Sequence, residues 1–300
     1  RNGRPMIAGI DFGGTKISAV LTDGNGRVLE RGSAPAPASE GGDAMVSVAV
    51  SLVQRFSERP TAVGVGAAGV VDHVSGTIVA ASSTFAGWTG YPLGERLSAA
   101  LEVPVHVEND VQAALAGEHA WGAVRGASDV LAIMLGTGVG GGLILDGKLR
   151  HGPHAAAGEI GHTPGYSSLV CSCGQIGHLE TMAAGRFIAK RYSALTGASV
   201  ADAETVESLA RSGDQAALSV FKDAGTALSQ AILVAAGLID ITDVVIGGGV
   251  ANAWDLFWPS LSAGLSTAPP VSGATVRVVK AELGSDAVAL GAAALAGAAA

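Results

Sequence analysis

Ala8-Gly-Ile-Asp-Phe-Gly-Gly-Thr-Lys-Ile-Ser-Ala-Val-Leu-Thr-Asp-Gly24 is the stretch that decides the fold. An apolar run ends at Asp11, a Gly-Gly-Thr turn follows, and a second apolar run leads to the Asp23-Gly24 hairpin signal. Short apolar runs separated by glycine turns are typical of neighbouring antiparallel strands. The sequence therefore predicts that the chain opens with a β-meander.

The second half of the chain repeats this layout. Residues 132–147 read Ala-Ile-Met-Leu-Gly-Thr-Gly-Val-Gly-Gly-Gly-Leu-Ile-Leu-Asp-Gly, which again gives a strand, a Gly-Thr turn, a strand and an Asp-Gly hairpin. Later segments have helical spacing and predict helices over residues 179–195 and 216–238. The repeat is short, but together with these helices it indicates an internal duplication and two similar α/β lobes.

The composition argues against several classes of protein. The 300 residues carry 18 Lys and Arg against 26 Asp and Glu, a net charge of −8. An acidic chain without basic clusters argues against nucleic acid or an anionic membrane as the main partner. No apolar run reaches the length of about 18 residues that a membrane span needs. Residues 1–5 are expected to be a short tail without a secretion signal, and the protein is expected to be cytoplasmic.

Glycine is the compositional outlier, with 44 of 300 residues, about twice the average usage of roughly 7%. No G-x-x-x-x-G-K-[ST] phosphate loop occurs. Residues 136–141 satisfy G-x-G-x-x-G, but a predicted strand follows them, whereas a dinucleotide fingerprint needs a helix. Two glycine–threonine turns remain, and their N–H groups and hydroxyls could converge on phosphate oxygens. The alternative is that both are ordinary tight β-turns.

Seven motifs follow one another along the chain. They are Asp11-Phe-Gly-Gly-Thr-Lys16, Val63-Gly-Val-Gly-Ala-Ala-Gly-Val-Val-Asp72, Glu108-Asn-Asp110, Leu135-Gly-Thr-Gly-Val-Gly-Gly-Gly142, Glu159-Ile-Gly-His162, Cys171-Ser-Cys-Gly-Gln-Ile-Gly-His-Leu-Glu180 and Gly247-Gly-Gly249. Their order resembles that of ROK-family sugar kinases, over roughly residues 6–295. The resemblance implies an α/β, actin/hexokinase-like two-lobed fold. Each lobe would be a ribonuclease-H-like mixed sheet with helices, and ATP and sugar would bind in the cleft.

The resemblance also implies a division of the chain. The N-terminal α/β lobe would span residues 1–115, joined by a C-terminal helix at about 286–300. The C-terminal α/β lobe would span residues 116–285 and carry a zinc-binding insertion at about 159–180. ATP would bind to the residues of the glycine turns, and Asp11 would orient Mg²⁺ or its waters. The expected nucleotide-binding residues are Asp11, Gly13, Gly14, Thr15, Lys16, Gly136, Thr137, Gly138, Gly248 and Gly249.

Asp110 is the expected general base, because phosphoryl transfer to a hydroxyl needs a carboxylate within hydrogen-bond reach of it. Asn109 or Asp110 could instead simply cap the helix that begins at Val111, and the two roles can coexist. The resemblance implies a wider set of sugar ligands. They are Gly69, Thr84, Asn109, Asp110, Glu159, His162 and Glu180.

Two positions depart from the usual family pattern near the sugar. Ala68 stands where a proline is usual, and Thr84 stands where an asparagine is usual. The Ser83-Thr84 pair also resembles N-acetylmannosamine kinases of the family. A threonine offers one hydroxyl in place of an amide donor and acceptor, so the favoured hydroxyl pattern of the sugar is expected to change.

Two cysteines and two histidines form a candidate structural Zn²⁺ site. Cys171, Cys173, His178 and His162 lie within seventeen residues of one another, and they match tetrahedral Cys₂His₂ ligation. His178 stands where the family usually has a third cysteine, and imidazole is a competent replacement. The alternative is a pair of buried free cysteines beside two ordinary histidines.

The sequence thus predicts an ATP- and Mg²⁺-dependent hexose kinase, closest to a glucokinase and expected to form a homodimer. N-acetylmannosamine, mannose and fructose are alternative substrates, and polyphosphate is an alternative phosphoryl donor. A sugar-responsive transcriptional regulator of the same family is the rival of another class. Only ten residues precede Asp11 in this sequence, so we expect no N-terminal helix-turn-helix. A third hypothesis is a sugar sensor without catalytic activity. Both glycine–threonine turns and Asp110 argue against it.

Overall fold

The computed structural model describes residues 5–82 and 84–299. Most of the expected N-terminal tail (residues 1–4), Ser83 of the Ser-Thr pair and Ala300 at the end of the expected last helix lie outside the described residues. The chain forms two compact units. Unit 1 comprises the residues up to 126, residues 151–156 and the residues from 282 onward, and unit 2 comprises residues 127–150 and 157–281.

Unit 1 is built on a five-stranded mixed sheet with the order β3-β2-β1-β4-β7. The strands β1, β2 and β3 are antiparallel, which confirms the predicted meander, and β4 and β7 continue the sheet in parallel. The elements are β1 (Ile7–Phe12), β2 (Lys16–Thr22), β3 (Val28–Pro35), α1 (Gly42–Gln54), β4 (Ala62–Ala67), the hairpin β5 (Val70–Asp72) and β6 (Thr77–Ala80), α2 (Leu93–Leu101), β7 (Val105–Asn109) and α3 (Asp110–Trp121).

Unit 2 repeats this arrangement. Its sheet has the order β10-β9-β8-β11-β12, in which β8, β9 and β10 are antiparallel and β11 and β12 run parallel to β8. Its elements are β8 (Val130–Leu135), β9 (Val139–Leu145), β10 (Lys148–Leu149), α4 (Glu180–Ala183), α5 (Gly185–Thr196), α6 (Ala203–Arg211), α7 (Gln215–Ile239), β11 (Asp243–Gly247), α8 (Trp254–Thr267) and β12 (Arg277–Lys280). The same strand order in both units supports the internal duplication.

The helix at the C-terminal end, α9 (Ala287–Ala299), packs on the sheet of unit 1. Its backbone comes so close that a Cβ on Gly9 would lie 1.8 Å from the Ala289 carbonyl oxygen. A Cβ on Gly64 would likewise lie 1.8 Å from the Ala292 carbonyl oxygen. Part of the glycine excess therefore serves helix–sheet packing and not ligand contact.

Three details of the structure differ from the sequence expectations. Residues 116–126 group with unit 1, because α3 continues to Trp121 and a division after residue 115 would cut this helix. Residues 151–156 also group with unit 1. The helix predicted over 179–195 was wrong as one element, because Ala184 takes an extended conformation (ψ 146°) between α4 and α5.

Candidate active site

Two carboxylates of unit 1 lie near each other at the end of β1 and the start of α3. Asp11 is the fifth residue of β1, and Asp110 is the first residue of α3. Burial, and to a smaller extent the charge of the nearby Asp110, raise the pKa of Asp11 to about 7, although Lys16 acts in the opposite direction. A cation placed between these oxygens would therefore be stabilised.

Asn109 holds the turn between β7 and α3. Its Oδ1 accepts hydrogen bonds from the N–H groups of Val111 (2.9 Å) and Gln112 (3.1 Å), so it is the N-cap of α3. Its Nδ2 donates to the carbonyl oxygen of Gly69 (2.9 Å). The capping alternative is thus correct for Asn109, and its amide also ties the predicted Gly69 loop to the Asp110 turn.

The first glycine turn joins β1 to β2. The N–H of Gly13 donates to the carbonyl oxygen of Lys16 (3.1 Å), which closes the hairpin. Thr15 and Lys16 are exposed at its tip. Thr84 packs beside this turn, since a Cβ on Gly14 would lie 3.4 Å from the Thr84 methyl carbon.

The second glycine turn lines a cavity in unit 2. The N–H of Gly136 donates to the carbonyl oxygen of Gly138 (2.9 Å), and β9 follows, which confirms that no dinucleotide fingerprint is present here. Gly136, Thr137 and Gly249 lie in the wall of a cavity of about 440 Å³. Gly248 precedes this wall in a left-handed conformation (φ +86°), where a Cβ would lie 2.4 Å from the Leu135 carbonyl oxygen.

Other residues in the wall of this cavity were not predicted from the sequence. Gly185 and Arg186 begin α5, and Asp202, Ala203 and Glu204 begin α6. Gly185 donates its N–H to the Gly136 carbonyl oxygen (2.8 Å), and Arg186 Nε donates to that of Thr137 (2.8 Å). The only sequence signal was the small-residue run Ala183-Ala-Gly185 inside a predicted helix.

Three predicted sugar ligands come together in unit 2. Glu180 is buried, and its carboxylate accepts the N–H of Val139 (3.2 Å) and the hydroxyl of Ser172. Burial alone would raise the pKa of Glu180, but these hydrogen bonds hold it below its usual value. Burial of the carboxyl group raises the pKa of Glu159, His162 lowers it and Glu180 raises it, so Glu159 lies close to both.

The four predicted metal ligands also come together. The ligand atoms of His162, Cys171, Cys173 and His178 all lie within 4.8 Å of one another. The distances are 3.3 Å between the two imidazole Nδ1 atoms, 3.7 Å from Cys171 Sγ to His162 Nδ1 and 3.3 Å from Cys173 Sγ to His178 Nδ1. Tetrahedral zinc, with bonds of about 2.05 Å to nitrogen and about 2.3 Å to sulfur, separates its ligands by roughly 3.3–3.8 Å. The cluster therefore fits a tetrahedral metal ion.

The ROK family matches residues 7–299, which is nearly the whole described chain. The chain belongs to the ROK family. This match confirms the predicted family. It also confirms the predicted actin/hexokinase-like fold and the prediction that the protein is a sugar kinase.

Curated ROK relatives include glucokinases and an N-acetylmannosamine kinase of Shigella flexneri. The chain is 33% identical over 272 residues to a glucokinase of Streptomyces coelicolor, covering 84% of each protein. It is 37% identical over 296 residues to the bifunctional enzyme NanE/NanK of Brucella melitensis, covering 97% of this chain and 54% of that protein. The chain therefore matches about half of the bifunctional enzyme.

One solved structure of a ROK family protein is similar to nearly the whole of this chain. A ROK family glucokinase from Streptomyces griseus, in complex with glucose and AMPPNP, superposes with a TM-score of 0.82 at 30% identity. The match covers 97% of this chain and 99% of that chain. Within the described part of this ROK protein, no helix is both long and apolar enough to cross a membrane.

Proposed function

We propose that this ROK protein transfers the γ-phosphoryl group of ATP to the 6-hydroxyl of glucose, with Asp110 as the general base. The observation that carries the proposal is the pair of carboxylates formed by Asp11 near the end of β1 and Asp110 at the start of α3. A kinase needs one carboxylate to accept the hydroxyl proton and a second to bind the cation that accompanies the phosphates, or the waters of that cation. The two residues supply both.

Each step follows from residues of this chain. Asp110 accepts the proton of the attacking hydroxyl, and the Asn109 cap holds it at the first position of α3. The N–H groups and hydroxyls of the two glycine–threonine turns bind phosphate oxygens. Asp11 would hold Mg²⁺ or its waters, because a cation relieves the repulsion between Asp11 and Asp110. Mg²⁺, when bound, neutralises charge on the transferring phosphoryl group.

ATP is favoured over polyphosphate as the donor by the cavity of unit 2. Its volume of about 440 Å³, bounded by Gly136, Arg186 and Val250, suits a nucleoside. A polyphosphate chain would use the phosphate-binding turns alone and would have no need of a cavity with a partly apolar wall.

N-acetylmannosamine is the second candidate substrate. Thr84 lies beside the first glycine turn, where its hydroxyl replaces the usual asparagine amide. The similarity to an N-acetylmannosamine kinase of Shigella flexneri, at 34% identity over 251 residues, favours this sugar independently. Glu159, His162 and Glu180 of unit 2 would bind sugar hydroxyls in either case.

We also propose that the metal of the cysteine–histidine cluster is Zn²⁺. Two thiolates and two imidazoles are a ligand set that selects zinc. His162 would hold the metal through Nδ1 and turn its other nitrogen to the sugar. Zinc, when bound, would fix the loop between β10 and α4 and take no part in phosphoryl transfer.

We propose that the protein is a cytoplasmic homodimer. We also propose that its partners include neither a nucleic acid nor a membrane. The net charge of −8 supports the second of these proposals. A DNA-binding regulator of the same family is the rival function.

The deciding experiment is a coupled kinase assay with glucose, N-acetylmannosamine, mannose and fructose, each with ATP and with polyphosphate. Glucose with ATP is expected to give the highest kcat/KM. A preference for N-acetylmannosamine would favour the second candidate. Turnover of no sugar with either donor would contradict the proposal, and sugar-dependent retardation of operator-like DNA would favour the regulator.

A further inference from the structure

The segment of residues 151–156 connects two parts of unit 2 but itself belongs to unit 1. Its first residue, His151, is largely buried, with 19% of its side chain exposed, and it reaches Glu108 on β7. Glu108 is almost completely buried, with 1% of its side chain exposed. A buried carboxylate is costly unless it is paired or hydrogen-bonded, and His151 supplies one of the partners of Glu108.

The imidazole of His151 donates a hydrogen bond to Glu108. The distance from His151 Nε2 to Glu108 Oε2 is 2.8 Å. Burial on its own would raise the pKa of Glu108, but the imidazoles of His106 and His151 and the N–H of Asn109 lower it to about 2. Glu108 is therefore ionised at neutral pH and can only accept, so His151 is the donor.

The other oxygen of Glu108 acts on the turn that carries the proposed base. Glu108 Oε1 accepts the backbone N–H of Asn109 (3.0 Å). The Asn109 side chain in turn caps α3 and binds the Gly69 loop. We propose that His151 and Glu108 are positioning residues that fix the Asn109 peptide and thereby the direction of the Asp110 carboxylate. This inference rests on the proposed function, because it assigns a role relative to Asp110 as the base.

Two neighbouring histidines support this arrangement and argue against a metal site. His73, between β5 and β6, stacks on His151 with ring centroids 3.6 Å apart and planes 9° apart. A metal ion lies in the plane of each imidazole that binds it, so two rings stacked in this way cannot share one. His106 Nε2 lies 3.9 Å from Glu108 Oε2, which is beyond hydrogen-bond distance. The stack holds the His151 ring in the orientation that donates to Glu108.

The test compares three variants with the wild type. His151→Phe keeps a ring that can stack on His73 but removes the donor. His151→Gln restores a donor at the position of Nε2, and His154→Phe changes an exposed histidine of the same segment. We expect His151→Phe to lower kcat by about 10- to 100-fold, with the sugar KM within about 3-fold of wild type, since sugar contacts remain. His151→Gln is expected to recover most of kcat, and His154→Phe to match wild type.

The pH profile separates positioning from a general structural role. In His151→Phe, Glu108 keeps its burial but loses one donor, so its pKa rises. The groups that still face it are His106 from β7 and His73 from the β5–β6 turn, with Asp72 beside His73. We expect kcat of this variant to fall at a higher pH than that of wild type as the pH is lowered, and a profile parallel to wild type would overturn the proposal.

A second readout does not depend on activity. Hydrogen exchange at the Asn109 amide is expected to be at least about 10-fold faster in His151→Phe, because its acceptor is less firmly held. If wild type phosphorylates no sugar, the proposed function fails, whereas unchanged exchange at Asn109 overturns the role of His151 and Glu108. If His151→Phe does not fold, His151→Gln and His151→Asn replace it. The longer glutamine side chain of His151→Gln should keep kcat high and hydrogen exchange at Asn109 slow, whereas the shorter side chain of His151→Asn should not. Equal kcat values and equal exchange rates in these two variants would refute the inference.

Discussion

The carboxylate of Glu118 binds the backbone of Glu282, a residue 164 positions further along the chain. Glu118 is completely buried on α3. Its Oε1 accepts the N–H groups of Glu282 (2.9 Å) and Leu283 (2.8 Å), and its Oε2 accepts that of Ala123 (2.8 Å). The contact therefore anchors the point at which the chain re-enters unit 1 ahead of α9.

Replacing Glu118 with glutamine is expected to destabilise the protein. The amide group would turn a donor toward at least one of these N–H groups and leave it unsatisfied in a buried position. We expect the free energy of unfolding to fall by about 2–3 kcal/mol and Tm by roughly 5–10 °C, measured by thermal and urea unfolding. Glu58→Gln, at an exposed site of unit 1, is the control and should shift Tm by about 1 °C or less. An unchanged Tm in Glu118→Gln would show that this anchor does not contribute to stability.

Asp110→Asn tests the general base without changing the size of the side chain. The amide cannot accept the hydroxyl proton, so kcat is expected to fall by about 10²- to 10⁴-fold. Sugar binding, measured by calorimetry, should stay within about 3-fold, because the Asn109 cap and the Gly69 loop remain intact. A kcat near that of wild type would rule out Asp110 as the base.

The sequence was sufficient for the strands and glycine turns because their signals are local. The two apolar runs placed β1 and β2, and the Asp23-Gly24 signal placed the hairpin between β2 and β3. The break at Ala184 was not predictable in this way, because the residues around it suit a helix and the interruption depends on Gly185 contacting the Gly136 turn. The buried role of Glu118 was equally hidden, since its partners at 282 and 283 lie far away in sequence.

The candidate site shows the same limit. The resemblance to the ROK family, carried by the order of the motifs, predicted Asp110, the four cysteine and histidine residues and the two glutamates as site residues. The pairing of Glu108 with His151 joins residues separated by 43 positions, and neither residue is unusual by itself. Arg186 and the start of α6 were missed because a cavity wall assembled from helix termini leaves no compact sequence motif.

Gly138→Ala tests the contact between the second glycine turn and Glu180. A Cβ at this position would lie 2.6 Å from Glu180 Oε2, so the carboxylate must move. Because Glu180 is a proposed sugar ligand, we expect the sugar KM to rise by about 10-fold or more while the protein stays folded. Gly237→Ala in α7 adds a methyl group into open space and should leave kinetics unchanged. A sugar KM within about 2-fold of wild type in Gly138→Ala would argue against a role for Glu180 in sugar binding.

Metal analysis by mass spectrometry tests the zinc proposal. We expect one zinc ion per chain in the purified wild type, and loss of that ion in Cys171→Ser, because the buried thiolate is a ligand that a hydroxyl replaces poorly. His178→Cys should keep the ion, since thiolate and imidazole both suit tetrahedral zinc. Sugar KM is expected to rise with metal loss more than kcat falls. Active wild-type protein that carries no metal would refute the assignment.

The buried Glu108 predicts how stability depends on acid pH. Its pKa is raised by burial but lowered overall to about 2 by His106, His151 and the Asn109 N–H. A group whose folded pKa lies below its unfolded value stabilises the protein above the unfolded pKa, near 4.5, and loses this contribution as the pH falls toward 2. The contribution lost is roughly 3 kcal/mol.

Urea unfolding at pH 6, 4.5 and 3.5 should therefore show a steeper loss of stability for wild type than for Glu108→Gln, which cannot titrate. Glu58→Gln should follow the wild-type curve, and equal slopes for wild type and Glu108→Gln would contradict the role of the buried carboxylate.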